Sequence, residues 1–199
     1  CIQCPQGQYS GATNAVACEP CEAGTYQTET GKQYCTECMA GSITNTAASS
    51  GASNCTECGA GEYSTVSSAA ACSTCHAGSI TNTGASTGAS LCAECGAGEY
   101  STASVLDSCI ECDTGKYQSQ AKQTKCDGCE VGKYQGGKGA AFCLACTPGK
   151  LSNATNATAC SECGVGEYSG AGSSECSACE AGKQQASAGK GSCDKCDGS

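Results

Sequence analysis

Cysteine is the residue type through which this chain could do chemistry. Its 24 cysteines fall into twelve Cys-x-x-Cys pairs, opening at Cys1, Cys18, Cys35, Cys55, Cys72, Cys92, Cys109, Cys126, Cys143, Cys160, Cys176 and Cys193. Three chemistries use that motif. A thioredoxin-type redox centre needs one copy at a helix start within an α/β fold, which twelve copies in a glycine-rich chain do not resemble. Structural zinc takes four thiolates from two successive pairs, and that would impose a two-pair rhythm, whereas the surrounding text repeats with every single pair. Disulfides supply what a chain short of aliphatic side chains lacks. The two cysteines of one pair stand too close together to organise a unit, so the second cysteine of each pair is expected to bond the first of the next. That scheme joins Cys4 to Cys18, Cys21 to Cys35, Cys38 to Cys55, Cys58 to Cys72, Cys75 to Cys92 and Cys95 to Cys109. It continues with Cys112 to Cys126, Cys129 to Cys143, Cys146 to Cys160, Cys163 to Cys176 and Cys179 to Cys193, leaving Cys1 and Cys196 without partners inside the chain.

Other reactive groups are sparse. His76 is the only histidine and adjoins Cys75, but its neighbour is expected to be oxidised, so it reads as a solvated loop residue. Glu37, Glu57, Glu94, Glu111 and Glu162 recur inside the pairs as Cys-x-Glu-Cys and predict a solvated acidic edge, with calcium or a basic partner as the sharper alternative. Three Asn-x-Ser/Thr sequons make Asn54, Asn153 and Asn156 candidate N-glycosylation sites, and the hydroxyl-rich loops at 44–50 and 81–90 could carry O-linked sugars. No phosphate loop, catalytic triad or carboxylate pair at a defined spacing occurs, so no enzymatic activity and no cofactor are expected.

The pairs recur every 16 to 20 residues, and a glycine follows the second cysteine at the third position in every complete repeat, from Gly7 and Gly24 to Gly182. Glycine there implies a turn with positive φ or a close chain approach. Two residues later stands Tyr9, Tyr26, Ile43, Tyr63, Ile80, Tyr100, Tyr117, Tyr134, Leu151, Tyr168 or Gln184, flanked by polar residues. Polar, apolar, polar reads as a short strand burying one ring. Small polar residues then lead back to the next cysteine. Each repeat is therefore expected to be a minimal hairpin whose core is a ring lying over a disulfide. No apolar stripe of helical period is present. The fold class is a small disulfide-rich β protein: an elongated tandem array of about eleven single-disulfide β-hairpin repeats, each contacting mainly its neighbours. Residues 35–71 and 72–108 share the text Gly-Ser-Ile-Thr-Asn-Thr and form a longer duplication, and the whole reads as a window on a longer chain.

Composition supports that frame. Ile, Leu, Val and Phe together number only fourteen in 199 residues, too few for one large core, and no apolar run is long enough to span a membrane. All ten basic residues are lysine and the net charge is -9, which disfavours nucleic acid. Residues 1–115 hold one lysine against eleven carboxylates while residues 116–199 hold nine against eight, an imbalance that could set a stagger between copies.

The openings Cys4-Pro5-Gln6-Gly7-Gln8-Tyr9 and Cys21-Glu22-Ala23-Gly24-Thr25-Tyr26 resemble the start of tumour-necrosis-factor-receptor and ephrin-receptor-like cysteine-rich repeats. In that family the single-loop module carries the same cysteine pairing, with the tyrosine packed on the disulfide. The runs of Ser, Thr, Ala and Gly between periodic pairs also look like protist and algal surface, filament and flagellar-hair proteins. Together these readings predict an extracellular or cell-surface structural protein, a rod, filament subunit, stalk or coat, whose partners are copies of itself and glycans. The rival is a ligand-binding or adhesion receptor ectodomain.

Overall fold

The computed structural model describes residues 2–14 and 16–196. Twenty-two strands of two or three residues pair as eleven antiparallel hairpins, and the described residues contain no helix. In the first repeat, β1 (Gln8–Tyr9) pairs with β2 (Glu19–Pro20), Tyr9 opposite Glu19. The second repeats the plan with β3 (Thr25–Tyr26) and β4 (Thr36–Glu37). The returning strand of each hairpin is thus built on the two residues inside the next Cys-x-x-Cys pair, so one motif closes one repeat and opens another.

Eleven disulfides each span one hairpin, joining the second cysteine of a pair to the first of the next. Their Cα separations of 5.6 to 5.8 Å lie at the centre of the range a disulfide bridges. The loops of Cys38–Cys55 and Cys75–Cys92 are three residues longer than the common one, 17 against 14. In these two, the Asn45 and Asn82 amides tie the longer loop back, each Oδ1 accepting the backbone N–H of Ser53 or Ser90 and each Nδ2 donating to the same serine's hydroxyl.

The hairpins form two compact units, one running through Cys95 with Ser101–Cys109, the other comprising Gly96–Tyr100 and the chain from Ile110 onward. Within each, successive hairpins are stitched by backbone hydrogen bonds that repeat in register. In the first unit, the Gly7 N–H donates to Gln27 O at 2.8 Å, the Gln27 N–H to Ala52 O at 3.1 Å, and the Cys21 N–H back to Gly7 O at 2.9 Å. In the second, Gly115 donates to Gln135 O at 2.7 Å, Gln135 to Ala157 O at 3.0 Å, and Cys129 back to Gly115 O at 2.9 Å.

The repeating glycine has two duties. Gly7 lies at φ 76 in the third position of a turn whose Gln8 N–H donates to Pro5 O, a place that asks for φ above zero. A Cβ there would also collide with the carbonyl oxygen of Gly51, which belongs not to the adjacent repeat but to the one beyond it. Gly115 meets Asn156 in the same way. The expectation that repeats contact mainly their neighbours is therefore corrected: each of these loops also reaches back over the glycine of the repeat two earlier.

The core differs from a column of rings. Fully or nearly fully buried are Cys4, Cys21, Cys38, Cys58, Cys75, Cys95, Cys112, Cys129, Cys146 and Cys163, together with the polar residue that follows the ring position. That residue is Gln27, Thr44, Ser64, Thr81, Ser101, Gln118, Ser152, Ser169 or Gln185. The tyrosines at the ring position are half-exposed. The reason is thickness. Two-residue strands give each hairpin one layer of backbone, and stacked backbones leave room for sulfur and for short hydrogen-bonding groups, whereas a phenol ring has to lie on the outside.

Candidate functional site

In most repeats the polar residue after the ring is a clamp on its own hairpin loop, and it takes two forms. Gln27, Gln118, Gln135 and Gln185 each donate an amide N–H to the carbonyl seven residues on, at 2.7 to 2.9 Å, and accept the N–H two residues on at 3.0 to 3.1 Å. At Thr44, Ser64, Thr81, Ser101 and Ser152 the hydroxyl donates to a carbonyl two or three residues on, as from Ser101 to Ala103 O and from Thr44 to Ala47 O, both at 2.6 Å, whereas Ser169 donates to Lys150 O of the preceding repeat at 3.0 Å. Among the described residues no buried side-chain nitrogen or oxygen lacks a partner, which is the condition for burying such groups without a net penalty. The sequence carries a signal for this: the position after the ring is Ser, Thr or Gln in all eleven repeats.

Cys196 is free and exposed, and its N–H donates to Gly182 O at 2.9 Å, the same contact that Cys21 makes with Gly7 and Cys129 with Gly115. Cys1 lies outside the described residues. His76 is exposed, and its carbonyl accepts the Ser79 N–H within the turn. The thiolates that a zinc site would require are consumed by the disulfides, and among the described residues no group of three or more His, Cys, Asp or Glu is arranged to hold a metal.

The glutamates of Cys-x-Glu-Cys do not act as one set. Glu57 accepts a hydrogen bond from the Thr87 hydroxyl, Glu162 pairs with Lys150 at 3.4 Å, and Glu111 faces Glu99 across a hairpin. Glu37 stands opposite Thr25 and Glu94 opposite Ser79. Glu57, Glu111 and Glu162 share one neighbour, each carboxylate lying beside a loop glycine, Gly88, Gly139 or Gly189, while their hydrogen-bonding and ion-pair partners differ from repeat to repeat.

Exposed ion pairs occur in both units, with Lys32 and Glu29 at 2.8 Å in the first and the others in the second. Lys138 lies 3.0 Å from Asp113 and, by hydrogen bond and charge, holds that carboxyl below the usual carboxylate range. Lys183 does the same for Glu180 at 2.8 Å, and is itself raised in return. Glu130 pairs with Lys133 at 3.1 Å. In the first unit the Tyr9 hydroxyl donates to Glu19 at 3.1 Å, which raises the phenol pKa.

All three sequon asparagines are exposed. Asn54 uses its Oδ1 to accept the Cys55 N–H at 2.9 Å. Asn156 takes φ 61, its N–H donates to Cys129 O at 2.8 Å, and its side chain lies over the α-carbon of Gly128, where any Cβ would collide with it.

Residues 7–55 match the family described as tyrosine-protein kinase ephrin type A/B receptor-like. No curated protein matches the chain. The match covers the first repeats, and the hairpin geometry it falls on recurs through both units, so the chain is a cysteine-rich repeat protein, a tandem array of single-disulfide hairpins.

Proposed function

We propose that this chain is an extracellular structural repeat protein that works by assembling with copies of itself into a rod, filament, stalk or surface coat. The observation that carries the reading is the uniformity of its construction: disulfide, glycine, clamp and loop recur at equivalent places in repeat after repeat, and a repeated surface suits repeated contacts. Disulfides at this density belong to an oxidising compartment, and the match to an ephrin-receptor-like family supports the same location. Asn153 and Asn156, and Asn54 with them, are the proposed N-glycan sites, and the hydroxyl-rich loops at 44–50 and 81–90 the proposed O-glycan sites. The described residues contain no helix long and apolar enough to cross a membrane.

The same family match favours a second reading, a ligand-binding or adhesion ectodomain. Electron microscopy of the oxidised, glycosylated protein separates the two. Ordered fibres or sheets support assembly, and dispersed single particles that capture one partner tightly support recognition. An N-glycosidase mobility shift, absent from a variant lacking all three acceptor asparagines, tests the glycan sites.

A further inference from the structure

Four clefts in the second unit share one plan. Each lies between consecutive hairpins, with the tyrosine of one repeat on one wall and, from the next, a strand lysine and the closing cysteine on the other. Tyr100 faces Lys116 and Cys126, Tyr117 faces Lys133 and Cys143, Tyr134 faces Lys150 and Cys160, and Tyr168 faces Lys183 and Cys193. Their volumes are about 140, 120, 350 and 130 Å³ in that order. A carboxylate three residues before the lysine lines three of them, as Asp113, Glu130 and Glu180, and the Thr147 hydroxyl takes its place in the fourth.

In the first unit the lysine position is filled by Gln8, Thr25, Ser42, Glu62 and Ser79, so the strand lysine that lines these clefts belongs to the second unit. Glu180 holds Lys183 protonated, with Tyr168 adding to the effect.

These walls select a ligand class. A phenol ring and a disulfide form a weakly polar face, and the rim offers an ammonium donor beside a carboxylate acceptor. A net anion meets the carboxylate and a net cation the ammonium, and in two of the clefts these groups already neutralise each other, Lys133 with Glu130 and Lys183 with Glu180. A sugar ring satisfies both sides. Its C–H face stacks on the aromatic ring, and its hydroxyls donate to carboxylate and accept from ammonium. Each cleft is small and open, so one sugar binds weakly, but clefts repeated along the chain engage a polymer with the gain that linked sites give.

We propose that the second unit binds a neutral, linear polysaccharide, one sugar ring against each of Tyr100, Tyr117, Tyr134 and Tyr168. The proposal goes beyond the assembly reading and does not depend on it, since sedimentation reports assembly with no glycan present.

Affinity electrophoresis of the oxidised full chain in native gels containing hydroxyethyl cellulose, laminarin, mannan or heparin tests it. Retardation is expected in at least one neutral gel, exceeding that in heparin. Replacing Tyr117→Ala with Tyr134→Ala is expected to weaken it about tenfold, and Tyr9→Ala with Tyr26→Ala to leave it unchanged. Should the ring variants fail to fold, K116Q with K133Q and K150Q removes the ammonium donors and leaves disulfides and rings in place, and is expected to weaken retardation in the same gel. The idea is overturned by free migration in all three neutral gels, by stronger retardation in heparin, or by retardation that neither set of second-unit changes reduces.

Discussion

At the scale of single residues, the structure gives polar side chains the work that a hydrophobic core does elsewhere. Gln118 makes two hydrogen bonds from a buried position, to Lys125 O and from the Gln120 N–H. Gln118→Ala leaves both backbone groups without that partner and is expected to cost about 1 to 3 kcal/mol, read as a lower midpoint in denaturant with the disulfides intact. Ala47 holds φ 53 where its counterpart in the duplicated loop, Gly84, holds φ 63. A left-handed backbone costs an L-residue about 1 to 2 kcal/mol, so Ala47→Gly is expected to raise the melting temperature. Gly84→Ala is expected to lower it, the more so because a Cβ there meets Asp107 O at 3.0 Å. Changes of the same sign in both variants would contradict this. Asp113 supplies a pH test. Its folded pKa is depressed by Lys138, so the pair's stabilisation is present above the unfolded carboxyl's pKa and is lost as pH falls through the folded value. Lys138→Ala is expected to move the Asp113 titration, followed by NMR, upward. The glycine and cysteine spacing is legible in the sequence as turn and staple. The clamp is not, although Ser, Thr or Gln stands at its place in each repeat, because a polar residue beside a strand ring conventionally marks the solvent side. Here the ring is outside and its neighbour is inside.

At the scale of the element, a hairpin with two-residue strands is too short to persist alone, and three devices hold it: the disulfide, the clamp and the backbone bonds to adjacent repeats. A loop of about 15 residues closed by one disulfide gains about 3 kcal/mol in the chain-entropy model. Replacing Cys112 and Cys126 together by serine is expected to remove a comparable amount and to open local hydrogen exchange first at the Cys129 and Gly139 amides. The first bonds to Gly115 O and the second to Cys112 O. Reductant is expected to unfold the protein and a chelator to leave it folded; unfolding by chelator with free thiols and bound metal would restore the zinc reading. The hairpin is readable from the repeat because turn, strand and return each have a residue signature. The reach of a loop over the repeat two earlier is not, because a glycine demanded by a turn and a glycine demanded by a passing carbonyl look the same in sequence. Only the geometry at Gly7 and Gly51 separates the two demands.

At the scale of the whole molecule, charge and repetition are the features from which assembly is argued. The first unit holds Lys32 against eight carboxylates among its described residues, while the second holds nine lysines against ten. Both units are therefore net negative, the repulsion between copies is least where the first unit of one meets the second of another, and raising salt to shorten the Debye length to a few ångströms is expected to strengthen assembly. Composition alone exposes this imbalance, since the lysines cluster in the later repeats; the exposed pairs that partly neutralise them, such as Lys133 with Glu130, follow only from the fold. Sedimentation velocity of the oxidised chain over rising concentration tests the central claim most directly. Assembly predicts a sedimentation coefficient that grows with concentration, and grows further in high salt. A single, concentration-independent monomer boundary, from protein that nonetheless binds one partner at nanomolar affinity, would contradict it and leave the receptor reading in its place.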